Sequence, residues 1–240
     1  MEPIHLIWQG DSSILGQHFQ AKRKIRSVIT DPPFGIDNQS NSAVTPDGKA
    51  QARKIANDSS PEVAMATFSK VMKVIIPGMM DDSDIYVFTS YHVLEDWLKF
   101  TRELFTPFGF ERKSIGVWEK DGPGMGDTTY RSWGNGLEFI LYYKRGNRES
   151  AVKRRNFVLH HSQIRPGDLI HPHEKPGPLL VELIQHSTDP GELVVDPFGG
   201  SGSLVRAARD CGRSAVAIEL DQYNYEQAVK KLESTTGGLF

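Results

Sequence analysis

The stretch Val194-Val195-Asp196-Pro197-Phe198-Gly199-Gly200-Ser201-Gly202-Ser203 is an apolar strand that leads into a glycine-rich turn and opens a helix. Glycines let a backbone come close to a ligand, and an acidic residue that ends the next strand can hold ribose hydroxyls. Glu219 ends the next apolar run, residues 215–219. The spacing differs from GxGxxG, so the stretch favours a nucleoside over a dinucleotide pyrophosphate. The alternative interpretation is a tight strand-to-helix connection without a ligand.

Around this stretch, short apolar runs alternate with amphipathic segments, which is typical of strands and crossover helices in an open, largely parallel sheet. We therefore predict a single α/β domain over residues 1–240, with a doubly wound, mostly parallel sheet of seven strands. Two strands between Glu111 and Tyr143 lack an intervening helix, which predicts an antiparallel hairpin at one sheet edge. The predicted strands are Ile4–Gln9, Arg26–Thr30, Asp84–Thr89, Lys113–Trp118, Glu138–Tyr143, Leu193–Val195 and Ala215–Glu219. The predicted helices are Glu62–Ile76, Val93–Leu104, Gly177–Gln185, Ser203–Asp210 and Gln222–Leu232.

The composition of the chain excludes several classes of protein. There is no run of about 18 uninterrupted apolar residues, and the opening MEPIHLIWQGD lacks the basic start and apolar centre of a secretory signal. The one cysteine, Cys211, cannot form an internal disulfide, and no Cys/His cluster has the spacing of zinc ligands. We therefore expect a cytoplasmic protein without a membrane segment or a structural metal.

Basic residues are unevenly distributed in a chain whose formal net charge is only -2. Such local clusters either contact a polyanion or form a solvated loop. Three stretches are predicted to be irregular: Asp37–Ser60, Asp121–Asn135 and Gly146–Pro172. One basic cluster consists of Lys22, Arg23, Lys24 and Arg26, and the denser one consists of Lys144, Arg145, Arg148, Lys153, Arg154 and Arg155.

A second motif, Thr30-Asp31-Pro32-Pro33-Phe34-Gly35, follows the apolar run Ser27-Val28-Ile29. Two successive prolines have a fixed φ and lack backbone donors, so the Asp31 carboxylate and the Pro32 carbonyl can both point as acceptors into a cleft. With the Phe34 ring beside them, these acceptors suit a flat base that bears an amino group. The alternative is a rigid strand-to-loop turn.

Together, Asp31-Pro32-Pro33-Phe34 and residues 196–202 resemble the amino-methyltransferases of DNA, which act on adenine N6 or cytosine N4, in the permuted order with the catalytic motif first. The resemblance implies a Rossmann-like methyltransferase fold. Its catalytic half would span residues 1 to about 145, a basic loop about 146–170, and the cofactor half about 171–240. The same family is matched by Gly10-Asp11, Trp118-Glu119-Lys120, Gly124-Met125-Gly126 and His171-Pro172-His173-Glu174-Lys175-Pro176.

The resemblance also implies S-adenosylmethionine as the cofactor. Asp11 would meet its adenine, Glu219 would accept from its ribose hydroxyls, and Asp196 would lie near its methionine end. His173 and Lys175 would lie near the methionine carboxylate, although Lys175-Pro176 could equally open a helix. The predicted cofactor-binding residues are Asp11, His173, Lys175, Asp196, Phe198, Gly200, Ser201, Gly202 and Glu219.

For the substrate, the resemblance implies the amino group of an adenine extruded from DNA. Asp31, Pro32, Pro33 and Phe34 are the predicted catalytic residues: the first two accept from the amino hydrogens and Phe34 stacks on the base. Methylation of a ring carbon would need a nucleophilic cysteine, and Cys211 at a helix end fits a capped thiol better. The denser basic cluster occupies the interval where the family places nucleic-acid recognition, so its charges are expected beside the catalytic cleft.

Rival interpretations keep parts of this assignment. Enzymes that methylate cytosine more often have Ser at the position of Asp31, and those that methylate protein amides usually have Asn. RNA is a further possible substrate. A non-catalytic nucleic-acid-binding module with a vestigial cofactor pocket should have lost Asp31 or a glycine of the cofactor turn, and both are present. The interval Gly146–Ile170 is short for a separate recognition region, so either the loops Asp37–Ser60 and Asp121–Asn135 recognise the sequence or specificity is low. A monomer or homodimer of bacterial or phage origin is expected.

Overall fold

An eight-stranded sheet forms the centre of the protein, seen in a computed structural model. The structure describes residues 2–20, 24–36, 39–44, 50–54, 56–122, 133–134, 136–150, 152–153, 155–171 and 173–234, with only the backbone of 39–44 and 50–54. The strands of this sheet are β1 His5–Gln9, β2 Ile25–Thr30, β5 Met79–Thr89, β6 Glu111–Glu119, β7 Leu137–Arg145, β8 Val158–His160, β9 Leu193–Asp196 and β10 Ser214–Glu219. A separate two-stranded sheet pairs β3 Gln39–Val44 with β4 Ala50–Lys54.

The strand order is β1-β10-β9-β2-β5-β7-β6-β8. β7 runs antiparallel to both of its neighbours, and the other neighbouring pairs in this sheet are parallel. The carboxyl ends of β1, β2, β9 and β10 therefore meet at one edge of the sheet, and the start of β7 lies at the same edge. We call it the carboxyl edge, and ligands of open α/β sheets bind at such an edge.

Six α-helices accompany the sheet in the part of the chain that the structure describes. In α2, Pro61–Ile75, Ser60 caps the first turn by accepting from the Val63 amide at 3.4 Å, and Pro61 occupies a position where its missing N–H costs nothing. The buried residues of α2 recur at helical spacing and include Ala64, Phe68 and Met72. The helices are α1 Ser12–Leu15, α2 Pro61–Ile75, α3 Leu94–Phe105, α4 Gly177–Ser187, α5 Ser203–Asp210 and α6 Gln222–Ser234.

Side chains alternate between two hydrophobic layers along the central strands. Val28, Val195 and Val216 pack in one layer with α2 and α3, whereas their neighbours Ile29 and Val194 pack in the other layer with α4 and α5. Both faces of the sheet are therefore buried, as in a doubly wound fold. No helix in the described part of the chain is long and apolar enough to cross a membrane.

The predicted α/β class and mostly parallel sheet are confirmed, with two corrections. The sheet has eight strands and not seven, because the three-residue strand β8 lies in the predicted irregular stretch Gly146–Pro172 and pairs with β6 outside the hairpin. The hairpin is therefore not the edge of the sheet. The strands β3 and β4 likewise lie in the predicted loop Asp37–Ser60, where the polar sequence QSNSAV carries no apolar alternation.

Candidate active site

A cleft of about 330 Å³ opens at the carboxyl edge. Its size is within the range of small-molecule sites. The loop after β2 lines one part of it, and the turn after β9 and the end of β10 line another. Among its lining residues are Asp11, Asp31, Pro32, Pro33, Phe34, His171, His173, Phe198, Gly200 and Glu219. The cleft thus brings together all four predicted catalytic residues and five of the nine predicted cofactor-binding residues.

A hydrogen bond joins the glycine-rich turn to the end of β10. Glu219 accepts from the Gly200 amide at 2.7 Å and, through its other oxygen, from the Asp221 amide at 2.8 Å. Burial raises the pKa of Glu219. Gly200 has a φ of +50°, and the atoms nearest to a Cβ added there would be those of the His171 ring, at 3.8 Å and beyond. The space beside Gly200 therefore belongs to the cleft, and Gly202 follows as the residue that precedes α5.

Asp11 reaches the cleft from the neighbouring strand end. It caps α1 by accepting from the Ser13 amide at 2.8 Å, and the Ser12 hydroxyl donates to the Pro197 carbonyl at 2.5 Å. Lys70 of α2 lies 3.9 Å from the Asp11 carboxylate. The ends of β1 and β9 are joined through this short helix.

Asp196 is buried at the end of β9. One oxygen accepts from the Thr30 hydroxyl at 2.8 Å and from the Phe198 amide at 3.0 Å. Burial raises the pKa of Asp196 to about 7. Together with Ser201 and Lys175, Asp196 lines a cavity of about 50 Å³ that shares Asp31, His171 and Phe198 with the larger cleft.

Replacement of Asp196 by asparagine should stabilise the folded protein at high pH. The amide oxygen can keep both hydrogen bonds but carries no charge to bury. Because the folded-state pKa of about 7 exceeds the usual 3.8, the carboxyl's contribution to stability is present at low pH and lost as the pH rises through about 7. The variant's advantage in free energy of unfolding should therefore increase by roughly 1.4 kcal/mol for each pH unit between these two pKa values, and level off above the higher one. Denaturant titrations at several pH values, without cofactor, measure it, and a pH-independent difference would contradict this explanation.

The loop Asp31–Gly35 is held from two further sides. The Gly35 amide donates to Asp58 at 2.6 Å, and the Trp97 indole donates to the Phe34 carbonyl at 3.4 Å. Gly35 has a φ of +82°, and a Cβ there would lie 2.3 Å from the Pro61 nitrogen, so only glycine fits. This contact of Asp58 is not predictable from the sequence, because an aspartate in a polar stretch carries no signal of a partner 23 residues earlier.

Asp31 belongs to a buried chain of alternating charges. The Lys175 ammonium lies 2.5 Å from Asp31 Oδ2 and 3.1 Å from Glu138 Oε2, and Lys120 lies 2.5 Å from Glu138 Oε1. We call Asp31, Lys175, Glu138 and Lys120 the charge chain. Burial raises the pKa of Asp31 against the opposing effect of Lys175. For Glu138 burial acts in the same direction, but Lys175 and Lys120 lower its pKa.

His171 and His173 line the cleft beside this chain. Burial lowers the pKa of His171 to about 4 and also lowers that of His173, with Lys175 adding to the effect. Both rings are therefore neutral near pH 7 and can only offer hydrogen bonds. Within the described residues, no group of three or more His, Cys, Asp or Glu side chains could hold a metal ion.

The first part of the basic cluster does not lie beside the cleft, so that expectation is wrong for Lys144, Arg145 and Arg148. Lys144 pairs in register with Asp84 at the start of the parallel run of β5, at the opposite edge of the sheet from Asp31. Its ammonium lies 3.8 Å from the Asp84 carboxylate, and Arg148 lies 3.0 Å from Asp189. These side chains form contacts within the protein, because β7 is antiparallel to β5 and its last residues lie at the edge away from the cleft.

Arg145 donates to the carbonyls of Phe108, Met79 and Met80, at 3.2, 3.2 and 2.8 Å. Arg155 forms an ion pair with Glu182 of α4, and Lys153 is exposed. Arg154, Lys22, Arg23 and most of the loop Asp121–Asn135 lie outside the described residues. The role of Lys153, Arg154 and Arg155 stays a prediction.

Solved structures share this fold. The PvuII DNA methyltransferase, which is cytosine-N4-specific, superposes with a TM-score of 0.72 at 17% identity, covering 100% of this chain and 89% of that one. The complex of M1.HpyAVI with SAM superposes with a TM-score of 0.69 at 21% identity, covering 95% of this chain and 98% of that one. At these identities the likeness establishes the fold alone.

Sequence relatives match over shorter segments. The type II methyltransferase M.HpaI of Haemophilus parainfluenzae is 35% identical over 68 residues, 28% of this chain, and YubD of Escherichia coli (strain K12) is 48% identical over 59 residues, 24% of this chain. The matches span about a quarter of these relatives, 22% and 26%. A family model described as DNA methylase, of the N6/N4 type, matches residues 25–230, from β2 to α6. Because that match covers most of the chain, the protein belongs to the N6/N4 DNA methylase family.

Proposed function

We propose that this protein transfers a methyl group from S-adenosylmethionine to the exocyclic amino nitrogen of adenine in DNA. The observation that carries the proposal is the single cleft in which the Asp31–Phe34 loop faces the turn at Gly200 and the carboxylate of Glu219. One part of the cleft offers acceptors for an amino group, and the other offers the features of a nucleoside site.

The cofactor half of the cleft fits a nucleoside ligand. Glu219 is held in place by the Gly200 and Asp221 amides, and each of its oxygens keeps a further lone pair for a ribose hydroxyl. Asp11 would meet the adenine, and Phe198 would line the pocket, with Asp196, Ser201 and His173 toward the methionine end. Gly202 does not line the cleft as predicted, because it is buried against β1, where an added Cβ would lie 2.7 Å from Ile7. S-adenosylmethionine, when bound, supplies an electrophilic methyl group on a sulfonium. The structure of M1.HpyAVI with SAM supports the assignment.

The catalytic half of the cleft suits a base amino group, which is a poor nucleophile because its lone pair is delocalised into the ring. Asp31 Oδ1 is buried and accepts no hydrogen bond within the described residues. Together with the Pro32 carbonyl it would accept from the two amino hydrogens and favour a pyramidal nitrogen that attacks in line. This is positioning with electrostatic stabilisation, and no covalent intermediate with the enzyme forms.

The base must leave the duplex to reach a cleft of this kind. Phe34 lines the cleft and is itself held edge-on by Trp97, with ring centroids 6.3 Å apart. Pro33 has no backbone donor that would compete for the acceptors. An extruded adenine would stack on Phe34 and present its amino group to Asp31.

Cytosine is the second candidate, favoured by the likeness to the cytosine-N4-specific PvuII enzyme. The aspartate at position 31, in the resemblance drawn from sequence, favours adenine. Incubation with labelled S-adenosylmethionine and separate samples of duplex DNA, single-stranded DNA and RNA, followed by digestion to nucleosides, decides between them. We expect label in N6-methyl-2′-deoxyadenosine from DNA. Label in N4-methyl-2′-deoxycytidine would make cytosine the target base, label in an RNA nucleoside would make RNA the substrate, and no label in any nucleoside would overturn the proposal.

Lys153, Arg154 and Arg155 are the proposed phosphate-binding residues. Their joint replacement by alanine should flatten the slope of log affinity against log salt by up to about three units, one for each phosphate that is no longer neutralised. Affinity should fall by a similar factor for every duplex, because phosphate contacts carry no sequence information. Fluorescence anisotropy at several salt concentrations measures both effects.

Arg145→Ala is the matched control for this triple variant. It should leave the salt slope unchanged and lower the free energy of unfolding by about 1–3 kcal/mol, because three carbonyls lose their donor. If the triple variant shows the parent slope, residues 153–155 form a solvated loop. If it loses affinity for one DNA sequence alone, they contact bases.

A further inference from the structure

The Lys175 ammonium is held by groups of this chain. It donates to Asp31 Oδ2 at 2.5 Å and, at 3.5 Å, to the His173 carbonyl, and it forms an ion pair with Glu138 Oε2 at 3.1 Å. The ring of Phe88 covers it at 5.0 Å from the centroid, and its side chain is only 7% exposed. Lys175 does not line the larger cleft. Its closest partners are therefore two carboxylates of this chain, and a contact of Lys175 with the cofactor stays a prediction.

We propose that Lys175, itself held by Glu138, is a positioning residue that keeps Asp31 ionised and turned with Oδ1 toward the substrate amino group. The inference rests on the proposed function, in which Asp31 is the catalytic acceptor. Lys175 occupies Oδ2 and leaves Oδ1 as the oxygen of Asp31 that can accept from the substrate amino group. Glu138 lies behind Lys175 and fixes the ammonium between the two carboxylates.

Without a counter-ion, a carboxylate buried as deeply as Asp31 takes up a proton. A protonated carboxyl donates through its hydroxyl and is a weaker acceptor than the ionised group. Lys175 lowers the pKa of Asp31, because an opposite charge within about 4–6 Å favours the ionised form. Glu138 raises the pKa of Asp31, because it is a like charge. The two neighbours of Asp31 thus act on its ionisation in opposite directions.

The other ionisable groups that face Asp31 are few. His173, from the same segment as Lys175, is neutral near pH 7, and Asp196 of β9 has a pKa raised by burial to about 7. Lys120 of β6 acts through Glu138. Lys175 is therefore the cation in direct contact with Asp31 among the described residues.

The test is the pH dependence of the single-turnover methylation rate in four variants. Lys175→Met should move the acidic limb up by roughly one to three pH units, so that activity lost near neutral pH returns at alkaline pH. Glu138→Gln should move the same limb down. Lys175→Arg should stay near the parent, and Lys113→Met, which removes an exposed lysine paired with Glu111 on β6, is the matched control. Opposite shifts from two buried neighbours are not expected of residues with a merely structural role.

Two further measurements keep the outcomes apart. Calorimetric affinity for S-adenosylmethionine should be nearly the same in Lys175→Met and the parent, and a weakened affinity with an unmoved acidic limb would make Lys175 a cofactor ligand and overturn the inference. An equal loss of rate at every pH in Lys175→Met and Lys175→Arg would also overturn it. If the parent methylates no nucleoside, the proposed function fails separately. The carbon-13 titration of the Asp31 carboxyl, assigned with Asp31→Asn, then tests the same shift without turnover.

Discussion

Replacement of Asp31 by alanine should lower the single-turnover rate of methyl transfer by about 100-fold or more, the usual effect of losing one preorganised polar group in an active site. Asp31 Oδ1 is the buried acceptor without a partner in the catalytic half of the cleft. Removal of the carboxylate leaves the Pro32 carbonyl as the remaining acceptor for the amino group. The nitrogen then keeps its planar geometry and its delocalised lone pair.

The affinity of the Asp31→Ala variant for S-adenosylmethionine should stay close to that of the parent, because Asp31 acts on the base. Calorimetry with the cofactor alone checks this separation of the two roles. The variant leaves the Lys175 ammonium without its 2.5 Å partner, so its thermal stability must be recorded alongside. A folded variant that turns over at more than about a tenth of the parent rate is incompatible with the mechanism.

Loss of the Glu219 carboxylate should weaken cofactor binding by about 1–3 kcal/mol, the scale of lost hydrogen bonds to a charged group. Glu219 serves two purposes in this structure: it accepts from the Gly200 and Asp221 amides, and it lines the cleft. Glu219→Ala therefore removes the proposed ligand for the ribose and releases the turn that lines the cleft. Calorimetric titration with S-adenosylmethionine measures the loss.

Gly200→Val tests the same half of the cleft by filling it. The added side chain would project toward the His171 ring, and a branched residue is strained at a φ of +50°. We expect a loss of affinity of the same order as for Glu219→Ala. Glu226→Ala, on the exposed side of α6, is the control that removes an acidic residue outside the cleft. Unchanged affinity in both cleft variants would contradict the cofactor assignment.

The sequence by itself determined the fold class and the two loops of the cleft. Short continuous apolar runs such as residues 215–219 predict strands that are buried on both faces, because successive side chains of a strand face opposite layers. The motifs at Asp31 and Gly200 each directly follow such a strand. The family resemblance predicted that these motifs share one site, and a parallel sheet places both at the same edge because the carboxyl ends of parallel strands lie together.

Only the tertiary structure decided which groups surround Asp31 and where the basic cluster lies. Lys175 and Glu138 are distant from Asp31 in the chain, and ion pairs across elements leave no periodic pattern in a sequence. The antiparallel course of β7 carries Glu138 to the carboxyl edge and Lys144 to the opposite one, although the two lie in one strand. Sequence proximity to the cofactor segment therefore did not predict proximity to the cleft. Strand direction separates residues that are neighbours in the chain, and it is set by pairing with β5 and β6 and not by local sequence.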